Sequence, residues 1–121
     1  MAIATKTLRT LVAAATTNAA AATTNGTAWN LTTALGGVLT GLVTNGATAP
    51  TVGCDFVVQI SGDGTTWREY SRQTAPSTAS AATAFAVEIP PGVLYARPSF
   101  QNNTGQAVTV EAFGQELTSI G

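Results

Sequence analysis

The sequence contains no histidine, a single cysteine and few charged side chains: 9% of its 121 residues, against about 25% in typical soluble domains. Histidine most often moves protons near neutral pH and most often binds transition metals. Its absence removes the usual base of a serine or cysteine triad and the commonest metal ligand. One cysteine, Cys54, excludes an intrachain disulfide and gives no sign of an oxidising compartment. It opens the run Cys54-Asp55-Phe56-Val57-Val58-Gln59-Ile60, where a core strand would hold it as a buried, unreactive thiol. The net charge is −1, and the five cations Lys6, Arg9, Arg68, Arg72 and Arg97 are scattered, so no basic footprint exists for nucleic acid or an anionic membrane surface. No run approaches the roughly 18 apolar residues of a membrane helix. Lys6 and Arg9 ahead of 11–15 faintly echo a secretory signal, but the apolar stretch is too short.

What the chain does have is threonine, serine, alanine, asparagine and glycine. A surface of these residues is poorly defended against self-association and suits a subunit that lives in contact with copies or partners. The length corresponds to one domain that buries about two thirds of its unfolded surface, enough for a core without disulfides. The hexamer Ala-Ala-Ala-Thr-Thr-Asn occurs twice, at 13–18 and 20–25. Alanine offers little burial to offset the roughly 1–2 kcal/mol per residue that ordering a backbone costs. Such a segment is expected to be held by backbone pairing or by another subunit. Alanine favours a helix, but threonine is stiff at χ1 and asparagine competes for backbone hydrogen bonds, so an extended arm over 1–26 is expected ahead of a domain over 27–121.

Turn signals punctuate the rest: Asn25-Gly26, Asn45-Gly46, Asp63-Gly64, Pro90-Pro91-Gly92 and Asn102-Asn103-Thr104-Gly105. Asn-Gly and Asp-Gly accept the positive φ angles of tight hairpin turns. Between them the apolar residues alternate. Cys54, Phe56, Val58 and Ile60 share one face of a strand over 54–60, and Phe85, Val87 and Ile89 one face of a strand over 84–89. Further strands are expected at 5–12, 27–33, 37–44, 65–73, 93–101 and 107–117, with 54–60 and 65–73 forming the clearest hairpin. Pro98 suggests an edge or a bulge for its strand. About eight strands and no convincing helix predict an all-β fold: a single antiparallel β-sandwich, jelly-roll-like, with an extended N-terminal arm.

No constellation for catalysis stands out. A pair of the carboxylates Asp55, Asp63, Glu69, Glu88, Glu111 and Glu116 could in principle serve a glycosidase, but simpler explanations are at hand: Asp63 is the turn residue before Gly64, and Glu69, Glu88 and Glu111 lie at strand positions compatible with a solvated face. In Ser61-Gly62-Asp63-Gly64-Thr65 one carboxylate is too few for calcium, and no lysine follows to make a phosphate loop. No enzyme activity, cofactor or metal is therefore expected. Trp67, Tyr70 and Tyr95 could form an aromatic platform for glycan contact, but aromatics on strands more often fill cores or interfaces.

The segments 57–67, 91–97 and 102–110 resemble small tailed-bacteriophage virion proteins, in which a strand ending in Ser-x-Asp-Gly-x-x-Trp, here 61–67, leads into a short second strand and an Arg-bearing strand closes a sandwich. The resemblance covers about 27–113 and leaves the Ala/Thr arm unmatched. It implies a virion protein without catalysis, of the capsid decoration or cement type, whose partners are the major capsid protein and copies of itself, often as a homotrimer. It also implies residence on the capsid exterior after assembly in the host cytoplasm. On that reading Leu8, Leu11, Thr16, Thr17, Thr23 and Thr24 of the arm meet the shell or neighbours, with Trp29, Trp67 and Tyr70 as interface anchors. A tail or neck component, and a carbohydrate-binding or adhesin module, are the alternatives.

Overall fold

The computed structural model describes residues 4–50, 52–102 and 105–120. Met1, Ala2 and Ile3 of the expected arm, and Asn103-Thr104 of the expected last turn, lie outside the described residues. The strands are β1 (Ala4–Asn18), β2 (Thr23–Asn25), β3 (Trp29–Asn30), β4 (Gly37–Asn45), β5 (Asp55–Ser61), β6 (Arg68–Thr74), β7 (Ala82–Ile89), β8 (Tyr95–Gln101) and β9 (Val108–Ile120). There is no helix among the described residues.

Two antiparallel sheets form a sandwich. One has the order β1-β9-β4-β7, and the other β2-β8-β5-β6, with β3 continuing β2 along the same side of β8. The pairings nest: β1 with β9, β2 and β3 with β8, β4 with β7, β5 with β6. This is the wrapping of a jelly roll, a chain folded double about the β5–β6 turn. Only that turn is a local hairpin. Ser61 and Asp63 build it: the Asp63 carboxylate accepts the backbone N–H groups of Thr65 (2.9 Å) and Thr66 (2.8 Å), and Gly64 takes φ +80°. Those amides, with Thr66 the stronger, hold the Asp63 carboxyl well below the usual carboxylate range. Its charge therefore serves the turn.

The expected hairpins at Asn25-Gly26 and Asn45-Gly46 are corrected. Asn25-Gly26 interrupts a single strand position, because β2 and β3 both pair with β8; Asn45-Gly46 begins the crossover from β4 to β5 in the other sheet. Pro98 lies within β8, flanked on both sides, instead of at an edge. Its carbonyl accepts from Gly26 N at 2.8 Å, so the side of Pro98 that lacks a donor faces the interruption, where no strand needs one. A Cβ on Gly26 would meet Pro98 Cγ at 2.5 Å.

The segment expected as a separate arm is extended, but it belongs to the sandwich. β1 pairs with β9 from Ala4↔Ile120 to Asn18↔Val108, Leu11 and Val12 enter the core, and Asn18 is fully buried. The expected division at 26/27 gives way to one sandwich that includes both hexamers. Backbone pairing, one of the two expected ways to hold a segment of so little bulk, does so through the ladder to β9, helped by Leu11 and Val12 in the core.

Between the sheets, Phe56 of β5 stacks on Phe85 of β7 with centroids 5.3 Å apart and touches Phe100 of β8 at 5.2 Å. Two glycines of the opposite sheet make room for aromatics. A Cβ at Gly41 would meet the Phe56 ring at 2.5 Å, and one at Gly114 the Trp29 ring at 2.8 Å. Cys54 is buried in this core, and burial first, then the neighbouring Asp55 charge, pushes its thiol up to about 11. An Asn18 hydrogen bond opposes this shift.

Candidate interaction surfaces

The two outer faces of the sandwich differ in chemistry. On the β2-β8-β5-β6 sheet most side chains facing away from the core are polar and engage one another, buried Val57 being an exception. Arg72 pairs with Asp55 and, at 2.8 Å, with Glu69, and donates to Gln101 Oε1 at 3.0 Å. The Thr74 hydroxyl donates to Asp55 at 2.7 Å. Arg97 donates to Gln59 Oε1 at 2.7 Å and lies 4.5 Å above the Trp67 ring centroid. Burial lowers the Arg97 pKa, while the Glu69 hydrogen bond leads in raising that of Arg72. This face is satisfied from within.

The outward residues of the β1-β9-β4-β7 sheet make another surface. Register places Ala86, Thr40 and Phe113 in one row across it, and Ala84, Leu42 and Glu111 in the next. They line a shallow, largely apolar trough of about 410 Å³. Leu42 and Phe113 are half-buried, whereas Ala84 and Ala86 are exposed. Alternation in the sequence had assigned Ala84 and Ala86 to the outward side of β7. Their meeting with Leu42 and Phe113 depends on strand order, which alternation does not encode.

The residues named from the sequence as interface candidates are dispersed. Leu8 is 61% exposed on β1, an edge of one sheet, and Tyr70 is 43% exposed on β6, the far edge of the other. Leu11 and Trp29 are buried and fill the core, so neither is available as an anchor. Thr16 and Thr17 end β1, where the Thr16 hydroxyl donates to the Ala13 carbonyl at 2.7 Å; Thr23 and Thr24 form β2, with the Thr24 hydroxyl donating to Asn18. Of the expected aromatic platform, Trp67 carries Arg97 on its ring, and the Tyr95 ring lies close to Gly64, about 3.6 Å from where its Cβ would be. Among the described residues no group of three or more His, Cys, Asp or Glu is placed to hold a metal ion.

No protein-family model matches the sequence, and no curated protein matches it. Solved structures share the fold. The PBSX exported protein XepA superimposes with a TM-score of 0.63 at 15% identity, over 93% of this chain and 37% of XepA. A chain of infectious bursal disease virus, Gt strain, gives 0.54 at 12% identity over 93% of this chain and 32% of its own. The Yersinia pseudotuberculosis-derived mitogen gives 0.51 at 13% identity, over 95% of this chain and 87% of the mitogen. This chain thus spans about a third of the first two and most of the third, and at such identities the likeness is one of fold: an all-β sandwich of two antiparallel sheets.

Proposed function

We propose that this chain is a structural subunit of a bacteriophage virion that decorates the capsid and strengthens it by bridging capsomers, without catalysis. The observation that carries the reading is the apolar trough of Leu42, Phe113, Ala84 and Ala86 on one outer face, on a chain whose opposite face satisfies its own charges. An apolar trough on an outer sheet face favours contact with another protein. The likeness in fold to the PBSX exported protein XepA and to a viral chain fits a virion subunit. The partners on this reading are the major capsid protein and further copies of the chain, on the capsid exterior, after assembly in the host cytoplasm. Each contact is weak, and repetition over the shell multiplies it.

The test is co-sedimentation of the purified protein with capsids that lack it. Binding that is lost in a Leu42→Asp, Phe113→Ser variant with an unchanged circular dichroism spectrum supports the reading. Binding to isolated tails in place of capsids replaces it with the tail or neck role, and binding to neither overturns both.

A further inference from the structure

The sandwich has four free edges, and three are blunted against pairing with another strand. β1 carries Lys6 and Arg9, breaks register with β9 at three places and turns through φ +59° at Ala15. β2 and β3 are three and two residues long, with a gap between them. β6 presents Arg68, Glu69 and Arg72 and has a register shift against β5. Charges, bulges and short strands are the devices by which sheets avoid edge-to-edge association. β7 has almost none of them. It pairs with β4 through eight consecutive residues without a shift, contains neither proline nor glycine, and carries one charge, Glu88.

What flanks this edge also favours a neighbour. On the outer face Ala82, Ala84 and Ala86 are small and exposed. On the inner side Phe85 and Val87, at 9% and 8%, are the most exposed members of the hydrophobic core. A strand laid along β7 would complete their burial.

We infer that β7 is a self-pairing edge, and that its occupant is the β7 strand of a second copy of this chain, antiparallel about a two-fold axis midway between the two copies of Phe85. A two-fold axis normal to the sheet must pass midway between one residue and its own copy, since only then do outward side chains face outward ones. With the axis at Phe85, position 84 lies opposite 86, 83 opposite 87 and 82 opposite 88. Each Glu88 then faces Ala82 of the partner subunit, so like charges are never opposed, and Thr83 meets Val87 in a β-branched pair. Moving the axis to Ala86 would bring Pro90, which has no donor, against position 82. The product is one continuous eight-stranded sheet whose two apolar troughs lie side by side. Strand addition over seven pairs is a small interface, so association of the free protein should be weak, in the micromolar range or above.

The inference is tested on the full chain alone, without capsids, by sedimentation equilibrium up to about 1 mM. The expected species is a dimer. Ala84→Asp with Ala86→Asp places like charges opposite each other twice and should raise the dissociation constant at least about tenfold with an unchanged melting temperature. Ala84→Lys with Ala86→Asp places opposite charges at the same two contacts and should restore the dimer. A wild type that stays monomeric, a trimer indifferent to the double Asp variant, or a folded Lys/Asp variant that fails to reassociate would each overturn it. Capsid binding enters none of these readouts, so this inference and the decoration reading fail separately.

Discussion

The two copies of Ala-Ala-Ala-Thr-Thr-Asn are identical in sequence and lie in opposite sheets. The first, at 13–18, ends β1, where Thr16, Thr17 and Asn18 pair with Val110, Thr109 and Val108. The second, at 20–25, supplies β2, where Thr23, Thr24 and Asn25 pair with Gln101, Phe100 and Ser99. Their last residues differ most. Asn18 is fully buried, donates to the Phe100 carbonyl at 3.0 Å, accepts from Thr24 of the second copy at 3.0 Å, and offers its backbone carbonyl to Asn102 at 3.1 Å. Asn25 is exposed and accepts one bond, from Ser99 at 2.7 Å. Asn18 joins the sheets where the chain crosses between them, while Asn25 lies on an outer face. The same asparagine becomes a buried junction in one copy and a surface residue in the other according to what surrounds it.

Removing the first copy with the rest of β1, by deleting 1–18, should have the largest effect. It takes Leu11 and Val12 from the core and uncovers one side of β9. Each such core loss costs about 2–5 kcal/mol against a total stability of about 5–15 kcal/mol. The expected outcome is loss of a cooperative thermal transition; a truncated chain that still melts cooperatively would restore the picture of a separable arm.

Single asparagine substitutions compare the copies directly. Asn18→Ala leaves a buried carbonyl and the Thr24 hydroxyl without this partner and should cost about 2–3 kcal/mol in chemical denaturation. Asn25→Ala, open to water, should cost under about 1 kcal/mol. Equal values would erase the distinction.

The first copy also touches Cys54, whose thiol is raised to about 11 in the folded chain. The unfolded chain ionises near the ordinary value of 9.0, so above that pH it binds fewer protons than the folded chain and stability falls. The stabilisation is intact below pH 9 and lost progressively toward pH 11, by about 2 kcal/mol. Denaturation midpoints measured across that window should show the decline, and Cys54→Ala should flatten it.

The smallest effect concerns a left-handed alanine that each copy holds, third in the first copy and second in the second. Ala15 and Ala21 have φ of 59° and 58°, a region costly for any residue with a Cβ. Ala15→Gly and Ala21→Gly should each raise stability by about 0.5 kcal/mol, the relief of strain being partly offset by the freer unfolded chain. Similar gains in melting temperature would mean that the two kinks are local, whatever sheet follows them.

Strand positions were legible where a strand has one face in the core. Phe85, Val87 and Ile89 announced β7, and Cys54, Phe56 and Val58 announced β5, because an amphipathic strand writes its burial into every second residue. The Asp63 turn was legible because the side chain that makes it is local. Asn25-Gly26 and Asn45-Gly46 misled because asparagine and glycine report a change of backbone direction, not which strand comes next to pair. The candidate surface was half legible: β7 gave up its outward alanines, while Leu42 and Phe113 join them only through pairings between residues far apart along the chain, Leu42 with Ala84 and Thr40 with Phe113.

By itself the sequence determined that the chain is all-β, where most strands run, that no histidine chemistry is open to it, and that its surface is short of charge. Tertiary structure decided which strands are neighbours, that 13–18 and 20–25 go to different sheets, that Leu11 and Trp29 are core, and that one outer face carries an apolar trough and one edge is unblunted. The physical reason is that alternation and turn propensity are set within a few residues, whereas a sheet neighbour is chosen by burial and hydrogen bonding across the whole chain, as when β1 meets β9 from the opposite end of the sequence.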